Sequence, residues 1–359
     1  MSSHLSPPSS APSRLSVTHH DLVYGTCEVT IAGEIDLASA PNTAVFLASG
    51  LALLTLAWIV GVATEQLGES SGPKVGGVLN ATFGNAAELI ITIFAIRAGQ
   101  LEVATASITG SILGNTLLVL GASFVVGGVR HGTQTFDRRV AGMSSSMLAL
   151  AVIGLAVPTA FAAARGTGPE VQTISDVTAA VLLLLYCLSL VYLFRSATGA
   201  HPPTGLPHWT RAVALASLVA STAAVAAISD VFVGTLEGVI ADVGISAAFL
   251  GLVIVPIVGN IAENIIALKI AYQDRMDFSM LVSLGSSQQV ALGVAPMLVF
   301  ASLFTAHHFD LVFPTIQVIA LAAAVTITAL IAADGESNWL EGAQLIAVYV
   351  IVATSFWYL

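Results

Sequence analysis

The chain has 359 residues, of which 56% are apolar and only 9% are charged, and its formal net charge is −10. Soluble domains carry about 25% charged residues, because water must solvate their surface. This composition excludes a soluble enzyme and a basic nucleic-acid-binding protein. The two cysteines, Cys27 and Cys187, are too few for a disulfide-rich secreted domain. We therefore expect a protein that exposes apolar surface to lipid.

Ten stretches of the chain are long and apolar enough to cross a membrane. A bilayer core about 30 Å thick needs about 20 apolar residues in a helix. These runs are too long and too uniformly apolar for the alternating strands of a barrel. They predict an all-α polytopic membrane protein. The predicted spans are 42–63, 76–98, 103–129, 142–163, 174–194, 210–233, 246–272, 278–304, 312–332 and 338–358.

The loops divide the chain into four predicted regions. Residues 1–41 form an N-terminal tail, which begins Ser- and Pro-rich and is expected to be partly disordered. Within it, segment 23–37 is mildly apolar but carries three acidic residues, so a degenerate eleventh span stays open. Residues 42–195 form a first five-helix half, 196–209 a linker, and 210–359 a second five-helix half.

The Lys and Arg residues divide unequally between the two sides of the predicted spans. Cytoplasmic loops carry an excess of these residues. The richer side is therefore expected to be cytoplasmic, with linker 196–209 on it, in the inner (cell) membrane of a prokaryote. Eight residues lie on this side: Lys74, Arg130, Arg138, Arg139, Arg195, Arg211, Lys269 and Arg275. Three lie on the other: Arg14, Arg97 and Arg165.

The two halves contain an internal repeat at an offset of 175 residues. Gly84–Glu88 (GNAAE) aligns with Gly259–Glu263 (GNIAE), and the same register aligns Gly110-Ser111 with Gly285-Ser286. Because each half has five spans, an odd number, the second half is inverted relative to the first. Inverted repeats are typical of transporters, with the substrate site between the repeats at the midplane. A duplication kept only for packing would not retain a carboxylate in each copy.

The repeated carboxylates, Glu88 and Glu263, lie near the middle of the second and seventh spans. Each ionised side chain costs about 2.5–3.5 kcal/mol at the centre of a membrane helix. Asn85 and Asn260 lie three residues earlier, on the same helix face as the carboxylates. Pro256 frees a backbone carbonyl just upstream of the second motif. Such an all-oxygen set is what hard cations such as Ca²⁺ prefer.

Hydroxyl and amide side chains follow in the third and eighth spans. Ser111 and Asn115 are spaced by one helical turn, and Ser286, Gln288 and Gln289 cluster in the matching part of the second half. Small polar residues also join helices together, and that alternative applies to the serines. The repeat retains Ser111 and Ser286, and a glutamine pair is costly to bury, so these residues are candidates for the cation site or its pathway.

Two further carboxylates lie near the ends of spans. Glu65 follows the first predicted span and Glu237 follows the sixth. As loop residues they can be merely solvated. They can also concentrate cations at the mouths of a pathway through their local potential.

The repeat motifs resemble those of a known superfamily. Asn80–Ile90 and Pro256–Glu263 are similar to the two alpha-repeat motifs of the calcium/cation antiporter superfamily, and most of all to its calcium/proton exchanger branch. The resemblance implies inverted five-helix halves, a cytoplasmic linker, and Glu88 and Glu263 as carriers of the cation and the protons. The chain departs from the family pattern at Asn264, where the family usually has His. By the same match, the coordinating or pathway residues are Asn85, Asn260, Ser111, Ser286 and Gln288.

Together these features predict an antiporter, not an enzyme, that exports Ca²⁺ in exchange for H⁺ by alternating access. Its partners are Ca²⁺, H⁺ and membrane lipid, without nucleic acid or a resident cofactor, and an oligomer is left open. A monovalent-cation/proton antiporter on the same scaffold is the alternative. An intramembrane hydrolase using Ser286 would need a His or Lys base inside the membrane, and all eight His lie outside the predicted spans. A receptor-like protein would leave the paired glutamates unexplained.

Overall fold

The computed structural model describes residues 41–166, 168–196 and 209–358. This part of the chain is helical, which confirms the all-α class. The first half contains α1 (Asn42–Ser71), α2 (Pro73–Phe83), α3 (Ala86–Arg97), α4 (Leu101–His131), α5 (Arg138–Arg165) and α6 (Pro169–Ser196). The second half contains α7 (Arg211–Gly234), α8 (Leu236–Val243), α9 (Ala247–Gly259), α10 (Ile261–Tyr272), α11 (Met276–Ser302), α12 (Thr315–Ile331) and α13 (Trp339–Trp357).

The ten predicted spans coincide with these helices. Among the described residues, eight spans are long and apolar enough to cross a membrane, with α2 and α3 taken together, and the bent pair α9 and α10 makes nine. Helix α12 is a further apolar helix of 17 residues, the lower limit for a span. The expected disordered tail, the eleventh span at 23–37 and most of the linker lie outside the described residues.

The helices alternate between two ends of the molecule, which we name after Arg275 and Arg165. At the Arg275 end, the His131 ring contacts the carbonyl of Tyr272 at 3.0 Å, so the loops after α4 and α10 meet there. At the Arg165 end, the Gln100 amide donates to the carbonyl of Val233. Helices α2 and α3 therefore run from the Arg275 end to the Arg165 end, and α9 and α10 run the opposite way. This is the predicted inversion.

A short ribbon and a close helix crossing add to the predicted architecture. Strands β1 (Gln134–Thr135) and β2 (Glu336–Ser337) pair antiparallel, and they tie the loop after α4 to the loop after α12 at the Arg275 end. Helices α4 and α9 touch through glycines. A Cβ on Gly110 would lie 2.1 Å from the Leu252 carbonyl oxygen, and one on Gly251 2.5 Å from the Val103 carbonyl oxygen. A larger side chain at either position would separate the two helices.

Helix irregularities occur at repeat-related places. The backbone leaves the helical region at Asn85 (φ −108°, ψ 22°) and at Asn260 (φ −113°, ψ 16°), and α9 and α10 meet at 68°. Three π-helical segments lie at Gly114–Val119, Leu250–Ile254 and Val290–Val294. The first and third occupy equivalent positions in the two repeats. Irregular backbone at membrane depth is tolerated where it lines a protein-enclosed site. These elements therefore surround the candidate site.

Candidate cation site

The two repeated carboxylates occupy the same local position in their halves. Glu88 is the third residue of α3 and Glu263 is the third residue of α10, each directly after a broken turn. The first turn of a helix has free N–H groups and a partial positive charge. Each half-helix therefore stabilises a negative side chain at the depth where the chain is interrupted.

The carboxylate of the first repeat is enclosed and fully hydrogen-bonded. Glu88 has 0% exposure. The Ser111 hydroxyl donates to its Oε1, and the Asn260 amide donates to its Oε2 at 3.1 Å. The same amide lies 3.3 Å from Ser111 Oγ. Because Asn260 belongs to the second half, the two repeats share this part of the site.

The carboxylate of the second repeat is paired differently. Glu263 is partly exposed and interacts with the Ser286 hydroxyl, while its Oε2 is buried without a hydrogen-bond partner. By symmetry with Asn260, the Asn85 amide would donate to Glu263. It donates instead to Gln289 Oε1 at 2.9 Å. Ser286 accepts from the Asn115 amide at 3.0 Å and contacts Asn85 Oδ1 at 3.3 Å. The structure thus brings these residues into one network.

Two glycines bring the carboxylates into a single site. A Cβ on Gly84 would lie 2.7 Å from Glu263 Oε1, and a Cβ on Gly259 would lie 3.0 Å from Glu88 Cβ. Each carboxylate therefore packs on the helix break of the opposite repeat. A side chain larger than hydrogen at either glycine would push the two halves apart.

Gln288 and Glu65 lie beside this network. The Gln288 amide donates to the backbone carbonyl of Ser144 on α5 at 2.8 Å, so its nitrogen is held by α5. Glu65 is half-buried on α1, one turn after Gly61, and a Cβ on Gly61 would lie 2.5 Å from Ala262 Cβ. Glu65 therefore faces α10 on the way from Glu263 to the Arg275 end.

Glu237 lies apart from the other candidate residues. It is exposed on the short helix α8, which follows α7 at the Arg165 end. Its position is that of a charged residue at the mouth of the molecule, and it stays a prediction as a pathway residue.

Two further residues lie next to the network: Tyr186, which was not singled out from the sequence, and Asn264, which was noted there only as a departure from the family pattern. Tyr186 on α6 donates its hydroxyl to the carbonyl of Ala81, one turn before the break at Asn85. Nothing in the sequence distinguishes this tyrosine from others in apolar spans. Asn264 has a buried Oδ1 without a partner. The repeat alignment adds a second reason to note it, because the residue at the equivalent position of the first half is the apolar Leu89.

The donor set consists of two carboxylates with amide and hydroxyl oxygens. Within the described ranges, no three His, Cys, Asp or Glu side chains form a group that could hold a metal ion. A site of this kind lacks the imidazole and thiolate ligands that zinc and copper favour. Oxygen donors with two negative charges suit a hard divalent cation.

Comparison with known proteins places this arrangement in a family. The family model described as sodium/calcium exchanger protein matches residues 41–195 and again residues 213–358. The chain belongs to the sodium/calcium exchanger family. The two matched segments correspond to the inverted halves, each of which supplies one carboxylate.

Several relatives are similar over almost the whole chain. The Ca(2+)/H(+) antiporter ChaA of Bacillus subtilis (strain 168) is 38% identical over 328 residues, which cover 89% of this chain and 93% of the relative. The Ca(2+)/H(+) antiporter of Synechocystis is 39% identical over 346 residues, covering 88% and 91%. The solved structure of native YfkE superposes with a TM-score of 0.80 at 38% identity, covering 90% of this chain and 95% of that one.

Proposed function

We propose that the protein is a secondary antiporter that exports Ca²⁺ from the cytosol in exchange for H⁺. The observation that carries the proposal is the joint site of Glu88 and Glu263, each supplied by one inverted repeat and packed on the other repeat's helix break. The names of the Bacillus and Synechocystis relatives support the same pair of substrates. An antiporter moves ions without chemical conversion, so no enzyme activity is proposed.

Charge balance explains why this site exchanges rather than leaks. One Ca²⁺ neutralises both carboxylates, and two protons do the same. A site loaded in either way passes the low-dielectric interior, whereas the empty site carries two uncompensated charges whose burial is costly. A single monovalent cation would leave one charge unbalanced. The two-carboxylate site therefore favours a divalent ion over the Na⁺ or K⁺ of the alternative antiporter.

The proposed setting is the inner membrane of a prokaryotic cell, with the Arg275 end and linker 196–209 in the cytoplasm. The excess of Lys and Arg at this end supports the orientation. Lipid is the solvent for the exposed apolar faces of the spans, and Ca²⁺ and H⁺ are the cargo. The site needs no resident cofactor.

The decisive experiment replaces each carboxylate by the amide of the same shape. Glu88→Gln and Glu263→Gln should each abolish Ca²⁺-driven proton release from liposomes, because one carboxylate cannot balance a divalent ion in a low dielectric. Both variants should fold, since a neutral amide is easier to bury than an anion. Proton flux is measured on purified, monodisperse protein.

Glu102→Gln is the matched control for this pair. Glu102 is exposed in the first turn of α4, where water solvates it, so its loss should alter the rate only modestly. Near-normal Ca²⁺/H⁺ exchange by Glu88→Gln would show that the cation is carried elsewhere, and the proposal would be wrong.

A further inference from the structure

The two carboxylates differ in the hydrogen bonds that they already make. Both oxygens of Glu88 accept hydrogen bonds, from Ser111 and Asn260, and the side chain is fully buried. Glu263 is partly exposed, and its Oε2 is buried without a partner. A cation that reaches the site can bind Glu263 without first breaking a hydrogen bond, whereas binding to Glu88 requires displacing a donor.

Two amide oxygens beside Glu263 are also buried and unpaired. The Asn260 amide nitrogen is held by Glu88 and Ser111, and its Oδ1 has no partner. Asn264 Oδ1 lies one turn later on the same helix, also without a partner. Glu263 and Asn264 follow Asn260 by three and four residues, the spacings at which side chains of successive turns are neighbours. Unpaired buried acceptors are costly, so three of them within residues 260–264 are explained by a ligand that accepts electron pairs, as a cation does.

Repeat symmetry does not account for these polar groups. Asn264 aligns with Leu89 in the first half, and Ser283, whose Oγ is likewise buried and unpaired, aligns with Ile108. The unpaired oxygens therefore lie on the hairpin of α10 and α11, which extends from the break to the Arg275 end. Its counterpart in the first half is apolar at the same two positions.

Two polar side chains inside the first-half hairpin are paired with each other. Thr92 on α3 and Ser107 on α4 lie 3.2 Å apart and hydrogen-bond to each other. This hairpin extends from Glu88 to the Arg165 end. The two hairpins therefore differ next to the carboxylates: Thr92 and Ser107 of the first are paired with each other, whereas Asn264 and Ser283 of the second each have an unpaired oxygen.

A cavity opens at the Arg275 end of the second hairpin. It has a volume of about 140 Å³ and lies between α5 and α11, with Asp137 and Asp277 at its outer end and Ser144 and Leu284 two turns deeper. The Gln288 amide bonds the Ser144 carbonyl at this depth. Carboxylates at a mouth raise the local concentration of cations. The rest of the lining is mostly apolar and includes none of Asn260, Glu263 and Asn264, so the cavity marks an opening at this end and not a continuous path to Glu263.

We infer that Asn264 is a cation ligand in a docking half-site made of Glu263 Oε2, Asn260 Oδ1 and Asn264 Oδ1. This inference rests on the proposed function. The half-site binds Ca²⁺ that arrives from the Arg275 end, before Glu88 exchanges its hydrogen bonds for the ion. Because all three donors are oxygens and two are neutral amides, the ligand class is a hard divalent cation.

The test compares Ca²⁺ binding to purified protein, by isothermal titration calorimetry, with Ca²⁺-driven proton release in liposomes. Asn264→Leu installs the residue of the first repeat, and Asn264→Asp keeps an oxygen at the same place. The leucine variant should weaken Ca²⁺ binding and raise KM by at least about tenfold, since even indirect supports of a metal site act in that range. Its kcat at saturating Ca²⁺ should change much less. The aspartate variant should bind at least as tightly as the unmodified protein.

Gln317→Leu is the matched control, because Gln317 is a fully buried amide that accepts from Thr109 and whose unpaired atom is the nitrogen Nε2, a donor that cannot ligate a cation. Its Ca²⁺ affinity should equal that of the unmodified protein. The inference is overturned if Asn264→Leu binds Ca²⁺ as tightly as the unmodified protein. It is also overturned if Asn264→Asp loses as much Ca²⁺ affinity as Asn264→Leu. Ca²⁺ binding without proton release by the unmodified protein contradicts the proposed function, and the binding comparison still decides the role of Asn264.

Discussion

At the scale of single residues, the close packing of the site requires two glycines, because they have no side chain. Gly84 and Gly259 stand one residue before the broken turns, and each faces the carboxylate of the other repeat. The packing distances are shorter than a methyl group allows. In the proposed site, the two glycines therefore set how closely the two carboxylates can approach one cation.

Gly259→Ala and Gly84→Ala should each slow Ca²⁺-driven proton release and lower thermal stability. The added Cβ would lie 3.0 Å from Glu88 Cβ in the first variant and 2.7 Å from Glu263 Oε1 in the second. Overpacking of this kind costs about 1–3 kcal/mol. The measurements are initial exchange rates in liposomes and unfolding temperature in detergent.

Gly142→Ala provides the comparison for these variants. Gly142 is exposed on α5, and a Cβ there meets nothing within 4 Å. Alanine favours helix over glycine by about 1 kcal/mol, so this variant should be at least as stable as the unmodified protein. Normal exchange by Gly259→Ala would contradict the close approach of the repeats.

Residue chemistry made part of the site predictable. Glu88 and Glu263 could be found because an ionised side chain in an apolar span costs free energy, and two such side chains at equivalent positions of a repeat indicate a function. The partner of each amide could not be found in this way. Gln288 and Gln289 are adjacent and chemically identical, yet one bonds α5 and the other bonds Asn85. Their directions depend on the turn of α11 and its π segment, which sequence does not specify.

At the scale of elements, the broken spans are supported by side chains from outside their own half-helices. Tyr186 on α6 donates to the Ala81 carbonyl at 3.0 Å, one turn before the interruption at Asn85. Its ring lies against the π segment of α11, since a Cβ on Gly293 would lie 3.1 Å from the ring. This residue links α2 of the first half to α11 of the second.

Tyr186→Phe should lower stability by about 1 kcal/mol, because the Ala81 carbonyl loses its hydrogen-bond donor while the ring still packs. Exchange should slow, since the broken turn of the first repeat is held less firmly. Tyr349→Phe, at another buried tyrosine on α13, is the control and should exchange at the normal rate. Thermal unfolding and proton flux are measured on both proteins. Equal slowing in both would refute a specific role for Tyr186.

The helices themselves were largely predictable, because a helix that crosses lipid needs a long apolar run and the spans are such runs. The irregular elements were not. A two-residue ribbon such as β1 with β2 has too few residues for an alternating pattern, and π segments depend on packing against neighbours such as Tyr186. The broken turns were indicated by Gly-Asn and by Pro256, but their 68° bend is a tertiary property.

At the scale of the whole molecule, inversion and asymmetry serve different purposes. Inversion places one carboxylate from each half at the midplane, so that the two ends of the molecule can in turn reach a single site. Departures from symmetry then distinguish the ends. Gln289 has no amide counterpart in the first repeat, where the equivalent residue is Gly114. Because Gln289 accepts the Asn85 amide, Glu263 keeps an unpaired oxygen. The second half therefore has polar side chains at positions where the first half, although similar in fold, has none.

Which end faces the cytoplasm decides the direction of Ca²⁺ transport. Arg139 and Arg165 are exposed at opposite ends of α5. A cysteine in place of each arginine can therefore be labelled to tell the two sides of the membrane apart. In a background in which Cys27 and Cys187 are replaced by serine, Arg165→Cys should react with an impermeant maleimide on intact cells. Arg139→Cys should react only after the membrane is made permeable, because the end richer in Lys and Arg stays inside. Each substitution removes one positive charge and leaves the excess at the Arg275 end in place. Labelling of Arg139→Cys from outside, with Arg165→Cys protected, would reverse the orientation and place the unpaired oxygens of Glu263 and Asn264 towards the exterior.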